Sequence, residues 1–418
     1  MRILFLSNYF PPYALGGYEQ WCAELAEKFR RRGHHVEIVT SLPPADRDPS
    51  REEELPAHRS LHLEVEGGLI AESIRFLFSR RRLLQSNLQV LEGIIHSFQP
   101  QVALVWGMWN LSRGLPALLE RQLADRVVYL ICDYWPILPD PFEQHFQHPA
   151  RNPALGFGKR LVYRLLFRFL PAPPQTVLRL THPVCISTAV REKLVSAGLP
   201  FQHARVVHGG THAADYAAAG RSRRRQPGRH RLLYAGRIRA DKGVTTILRA
   251  IARLGSPLQK RLSLDVLGSG EPGFLAELRA LVVQERLEGI VRFLPAIPQE
   301  EMPVVMAGYD ALIFPSEWEE PFSRIILEAM ASGMLVIGTL TGGTAEILED
   351  GRTGLAFPAG DANALAGRIR ALVEAGDRFD SLARAGQERV LRDFTLDRMA
   401  AEIESCLAAV CSEVVSTP

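Results

Sequence analysis

Residues Pro315–Ile347 read PSEWEEPFSRIILEAMASGMLVIGTLTGGTAEI. The apolar run that leads into them, Tyr309 to Phe314, has the length of a buried strand, and Pro315 and Ser316 stop it. An acidic loop follows with Glu317, Glu319 and Glu320, and Pro321 suits the first turn of a helix. That helix, Phe322 to Ser332, is apolar nearly all round (Ile325, Ile326, Leu327, Ala329, Met330, Ala331), which predicts burial. It nevertheless carries Glu328, a residue type that is seldom fully buried without a partner. Gly333 ends the helix, Leu335 to Thr339 forms the next strand, and Gly342-Gly343 breaks it before another expected helix.

Strand, loop, helix, strand, Gly-Gly and helix make a βαβ unit whose helix starts point at one sheet edge. Backbone N–H groups and the positive helix ends gather there, as a phosphate requires. Glu320 stands at the mouth of this site and Glu328 two turns inside it. Carboxylates accept hydrogen bonds from paired hydroxyls, so the expected ligand combines phosphate with sugar or ribose. The alternative is that Glu320 only complements the helix dipole and Glu328 pairs with a basic residue elsewhere.

With seven residues between Glu320 and Glu328, EPFSRIILEAMASG resembles the E-x7-E motif of the retaining glycosyltransferases of family 4. Thr341 to Asp361, TGGTAEILEDGRTGLAFPAGD, is similar to the continuation of that signature. The resemblance implies an α/β protein of GT-B type, with two Rossmann-like domains facing each other across a cleft. It is strong over the C-terminal half and weaker over the N-terminal half.

The composition agrees with such an enzyme. A chain of 418 residues is long enough for two or three domains, and 47% hydrophobic residues argue against wholesale disorder. A net charge of +3 does not suggest a nucleic-acid partner. The 5 cysteines include no C-x2-C pair, which fits a reducing compartment rather than a disulfide framework or structural zinc. The chain enters RILFLS at once, and no apolar run approaches the roughly 20 residues that span a bilayer. A cytoplasmic protein is therefore expected.

The N-terminal half opens as a Rossmann unit. Ile3 to Leu6 is a buried strand, Ser7 to Gly17 a Pro/Gly loop, and Trp21, Leu25 and Phe29 mark one face of the next helix. Gly16, Gly17 and Glu19 match the family's GG-x-E loop, which implies that the amides of Gly16 and Gly17 approach the donor phosphate. Pro43 to Glu66 reads as loop and edge structure, and Leu69 to Phe98 as helix. The strands Val102–Trp106 and Val127–Ile131 end in candidate site loops, GMWN and CDYWP. Gly156 to Leu180 is a basic amphipathic stretch in which Lys159, Arg160, Arg164 and Arg168 recur at helical spacing. Lys159–Leu170 is expected either to lie on an anionic membrane surface or to be a surface helix with solvated arginines. Residues 209–229 read as a linker between an N-terminal domain (1–208) and a C-terminal domain (230–394). The closing segment, 395–418, is expected to cross back to the first domain, as the resemblance implies.

Donor chemistry concentrates in the C-terminal half. Tyr234 to Gly243, YAGRIRADKG, puts Arg237 and Lys242 in the loop after that domain's first strand, where two cations neutralise a diphosphate without a metal. Alternatively this is a surface loop in which Asp241 caps the following helix. The resemblance assigns phosphate binding to Arg237 and Lys242, sugar contact to Glu320 with the Phe322, Ser323 and Arg324 backbone, and the ribose hydroxyls to Glu328. Gly342 and Gly343, before the next expected helix of the same βαβ unit, are expected at the donor phosphate as well. Family members usually have Gly at the position of Ser323.

The departures lie in the first domain. Many family members carry His where this chain has Cys132 and Trp106, and the familiar P-N-G appears here as His208-Gly209-Gly210. Asp133, and not Cys132, is the expected contribution of this domain to catalysis, because an ionised carboxylate can orient an acceptor hydroxyl whereas a neutral thiol is a weak donor and acceptor. The implied reaction is transfer of a sugar from a nucleotide-diphosphate sugar to a carbohydrate or lipid-linked acceptor hydroxyl. It proceeds with retention and needs no cofactor or metal. The competing expectation is a catalytically silent protein of the same fold that binds a nucleotide sugar and acts as an assembly or regulatory partner.

Overall fold

A computed structural model describes residues 1–13, 16–43, 56–64, 70–139, 176–223, 228–374 and 376–413. The chain divides into two compact units. The first comprises Met1–Ile186, Val190–Val207 and Ala400–Pro418, and the second Ser187–Ala189 and His208–Met399.

The first unit is built on seven parallel strands: β1 (Arg2–Leu6), β2 (His35–Ser41), β3 (His58–Leu61), β4 (Val102–Val105), β5 (Val127–Ile131), β6 (His182–Cys185) and β7 (Arg205–Val206). Their order is β3-β2-β1-β4-β5-β6-β7. Every residue of β4 and β5 is buried, because helices cover both faces of a parallel sheet. The helix Gly17–Arg31 packs Phe29 edge-on against Phe5 of β1, with ring centroids 6.1 Å apart. From Ala400 the last helix, Leu396–Glu413, belongs to this unit, and Glu404 pairs there with Arg32 and His34 at 2.5 and 2.6 Å.

The second unit repeats the plan with β8 (His230–Ala235), β9 (Leu262–Leu267), β10 (Val291–Leu294), β11 (Ala311–Phe314), β12 (Leu335–Gly338) and β13 (Leu355–Ala356). All are parallel and run in the order β10-β9-β8-β11-β12-β13. One apolar core, from Leu232 and Val266 through Ile313 and Ile337 to Leu365 and Ile369, fills this unit. Strand order reverses at β1/β4 in one sheet and at β8/β11 in the other. In open α/β sheets ligands bind beyond the strand carboxyl ends at that point.

Several local expectations change. The buried helix begins at Arg324 instead of Phe322, with Pro321 still in the loop and Ser323 extended at the cap. The segment after Gly342-Gly343 is a short 3-10 turn, Gly342–Glu346. Residues Ala213–Gly220, inside the stretch expected as linker, form a helix of the second unit, which also includes His208. The edge strands β7 and β13, two residues each, escape sequence periodicity altogether. Lys159–Leu170 lies outside the described residues. Among the described residues no helix is long and apolar enough to cross a membrane.

Candidate active site

In the second unit the loops leaving β8 and β11 lie against each other. Gly243, at φ +71°, marks the contact: a Cβ there would stand 2.1 Å from the Pro315 carbonyl oxygen. The N–H groups of Glu317 and Trp318 donate to the Asp241 carbonyl at 2.9 and 3.2 Å, and the Thr246 hydroxyl donates to Glu317 Oε1 at 3.1 Å. The Asp241 carboxylate pairs with Arg239, and Gly243 takes the cap position of the helix Val244–Ala252.

This arrangement brings Lys242 and Glu320 together as an ion pair, with both side chains largely buried. Glu320 Oε1 also accepts the Ser316 hydroxyl at 2.6 Å, while the Ser316 carbonyl accepts the Thr339 hydroxyl at 2.6 Å. Residues at the ends of β11 and β12 thus aim the carboxylate. Arg237 is exposed in the β8 loop, and its carbonyl accepts the Tyr234 hydroxyl at 2.6 Å. Burial, and then the charges of Glu320 and Asp241, push the Tyr234 phenol up, so it remains a neutral donor.

Glu328 is 2% exposed in the helix Arg324–Ala331. Its Oε1 accepts from Arg324 Nε at 2.6 Å and from Gln299 Nε2 at 2.6 Å. The basic partner that the burial of a carboxylate demands is Arg324, one turn back on the same helix. Gln299 Nε2 also reaches the Tyr216 hydroxyl at 2.9 Å, so the helix Ala213–Gly220 joins this network. Arg324 at i−4 was readable in the sequence, whereas Gln299 and Tyr216 come from distant segments without a local signal.

Gly342 and Gly343 have a packing reason of their own. A Cβ on Gly342 (φ +54°) would meet the Glu320 carbonyl oxygen at 2.3 Å, and one on Gly343 the Pro321 carbonyl oxygen at 2.1 Å. The Gly343 N–H donates to the Glu320 carbonyl at 2.8 Å, so the 3-10 turn rests on the backbone that carries Glu320. Ser323 has φ −101°, which a residue with a Cβ adopts without strain. Phe322 is buried and stacks on His208, with centroids 5.3 Å apart and planes at 22°. Nothing near His208 in the sequence advertises this contact.

Gly16, Gly17 and Asp133 belong to the first unit. Gly16 is the extended cap of the helix Gly17–Arg31, in whose first turn Glu19 is fully buried. A Cβ on Gly107, just after β4, would meet the Tyr18 ring at 2.7 Å, and Trp109 Nε1 donates to the Tyr18 hydroxyl at 2.5 Å. Trp109 lies in the candidate site loop GMWN, whereas no role was foreseen for Tyr18. Asp133 Oδ1 accepts the Trp135 N–H at 2.8 Å and fixes the turn after β5, while burial pushes its carboxyl up to about 6. The Tyr18 phenol is raised by burial, then by Glu19 and by Asp133, so the three side chains share one electrostatic neighbourhood. The buried Cys132 thiol is pushed up by desolvation first and by Asp133 next, which disfavours a thiolate there.

Two family models match in succession: Glycosyltransferase Family 4 over residues 15–215 and Glycosyl transferases group 1 over residues 219–389. Among curated proteins, the glycogen synthase of Mycobacterium tuberculosis is 24% identical over 414 residues, covering 94% of this chain and 91% of that protein. A D-inositol 3-phosphate glycosyltransferase of Nocardioides sp. is 33% identical over 181 residues, covering 40% of this chain and 39% of that protein. Among solved structures, sucrose-phosphate synthase from Thermosynechococcus elongatus superposes with a TM-score of 0.73 at 19% identity, covering 99% of both chains. HepE of Anabaena in complex with UDP and glucose superposes with a TM-score of 0.70 at 19% identity, covering 98% of this chain and 99% of that one. At such identities the superpositions speak for the fold alone. With two Rossmann-like units in one chain and consecutive matches that span most of it, this protein belongs to the group 1 glycosyl transferases of GT-B fold.

Proposed function

We propose that the protein transfers a hexose from a nucleoside-diphosphate sugar to an acceptor hydroxyl, with retention and without a metal, in glycan or glycolipid assembly. The observation that carries this reading is the Lys242–Glu320 pair at the reversal point of the second sheet, with Arg237 on the same β8 loop as Lys242 and Glu328 buried on the helix that follows Glu320. Arg237 and Lys242 neutralise the departing diphosphate. Glu328 takes the ribose hydroxyls, and Glu320 faces the positive charge that grows on the sugar. The bond from the anomeric carbon to the phosphate oxygen breaks, the acceptor oxygen bonds to the same face, and its proton passes to the leaving phosphate. Position and electrostatics then supply most of the acceleration. Asp133, in the first unit, orients the acceptor hydroxyl. The complexes of Anabaena HepE with UDP and with UDP-glucose support a nucleotide-sugar donor. A cytoplasmic protein whose Lys159–Leu170 segment rests on an anionic membrane completes the proposal.

The test is turnover by EDTA-treated protein with UDP-, ADP- and GDP-linked hexoses and acceptor extracts, with the product anomer read by NMR. One α-linked donor should yield an α-linked product. An inverted product contradicts retention, and a need for added magnesium or manganese contradicts the metal-free phosphate site. Donor binding without hydrolysis or transfer in any extract would make the silent binding protein the better account.

A further inference from the structure

The sequence HGG at 208–210 stands where the family's P-N-G is usual, and no role in donor binding is assigned to its histidine. Its backbone is pinned: a Cβ on Gly210 would lie 2.4 Å from the Thr395 carbonyl oxygen, and the Thr211 N–H donates to the Phe394 carbonyl at 3.0 Å. The His208 ring therefore has a fixed place, edge-on to Phe394 (5.7 Å) and flat on Phe322 (5.3 Å), which itself lies 5.9 Å from Phe394.

The far side of the imidazole is held as well. His208 Nε2 is 2.8 Å from Glu346 Oε2. Glu346 also accepts the N–H groups of Thr188 at 3.0 Å and Ala189 at 2.9 Å. Burial works against the charge of Glu346, yet the bonds from His208, Ala189 and Thr188 hold its carboxyl below the ordinary range. Glu346 ends the same 3-10 turn whose glycines rest on the carbonyls of Glu320 and Pro321. Through Glu346 the histidine steadies the turn on one side of the Glu320–Arg324 loop, and through Phe322 it steadies the loop itself.

We propose that His208 is a positioning residue for the sugar end of the donor site, holding Phe322 and the backbone that follows it in register with Glu320. This inference rests on the nucleotide-sugar reading given above. Arg237 and Lys242 stand on the loop after β8, a different element from the one that ring holds. Loosening His208 should therefore disturb the reacting end and spare nucleotide affinity.

The experiment compares His208→Ala, His208→Phe (ring kept, bond to Glu346 lost) and His208→Gln (bond kept, ring lost). UDP, ADP and GDP are titrated by calorimetry, the matching hexose donors give kcat, and heat denaturation gives Tm. His208→Ala should lower kcat about ten- to hundredfold, the scale of a small misplacement at a reacting centre, while the diphosphate Kd stays within about threefold. The Phe and Gln variants should each recover part of kcat. An unchanged kcat in His208→Ala, or a joint fall of kcat, affinity and Tm with no recovery in the other two, overturns the positioning role. If wild-type protein binds none of the diphosphates, the donor reading falls and takes this one with it. If wild type binds and Glu328→Ala does not, only the result on His208 bears on the inference.

Discussion

Arg324 Nε donates to Glu328 Oε1 at 2.6 Å across one turn of a helix, and the two side chains are 7% and 2% exposed. A buried pair of this kind contributes little net stability while intact, but breaking it is costly. The carboxylate that the ribose hydroxyls would meet is thus already balanced and aimed before any ligand arrives.

From this pair follows the first prediction. Glu328→Ala should destabilise the protein by about 3–5 kcal/mol, because it takes the carboxylate from a buried guanidinium. It should also weaken donor binding. Adding Arg324→Met should restore much of the stability and none of the affinity. Urea denaturation and calorimetry read the two quantities separately, and affinity that returns together with stability would deny Glu328 a contact with the donor.

A second prediction separates Glu320 from Lys242. Glu320→Gln should lower kcat more than it raises KM, because its contact strengthens as the sugar gains positive charge. Lys242→Met should chiefly weaken binding of the diphosphate product. Steady-state kinetics with equal effects on kcat and KM in both variants would remove the assignment.

The third concerns pH. Burial raises Asp133 to about 6, above the roughly 3.9 of an unfolded chain, so the native state holds the extra proton between those values. Stability from this group is full below the unfolded value and is lost as pH rises towards 6. Asn keeps the oxygen that accepts the Trp135 N–H. Asp133→Asn should therefore melt higher than wild type at pH 8, and the gap should close towards pH 4. If the carboxylate acts in transfer, kcat of the wild type should rise through pH 6, and the variant should lack that rise. A variant that melts lower than wild type at pH 8 would contradict the buried-carboxyl assignment.

What the sequence could reveal followed from how local each signal is. Arg324 and Glu328 sit in one apolar helix and Glu320 in the loop just before it, so their spacing placed them close together. Lys242 was readable because it follows a strand of strong apolar character, β8. The partners that aim these groups were hidden: Gln299, Tyr216 and His208 arrive from segments about 20 to 120 residues away, and only the packed fold joins them. The helix Ala213–Gly220 was missed because its alanines show no clear apolar face. Pro321 misled in the other direction, since the close approach of Gly342 and Gly343 to the 320–321 carbonyls keeps that segment a loop.

The fourth prediction falls on Lys159–Leu170 and rests on its charge pattern. The protein should pellet with anionic vesicles and release as salt rises. Replacing Arg160, Arg164 and Arg168 by Glu should abolish pelleting, and unchanged pelleting would leave the segment an ordinary surface helix.

The central claim is that Arg237, Lys242 and Glu328 form a metal-free site for a nucleoside diphosphate. Its most direct test is calorimetric titration of UDP, ADP and GDP into EDTA-treated wild-type protein and into Arg237→Ala and Glu328→Ala. One diphosphate should bind the wild type, and each substitution should weaken it by about tenfold or more, the loss of one charge-assisted hydrogen bond. Absence of binding by all three, or binding that neither substitution alters, would contradict the account.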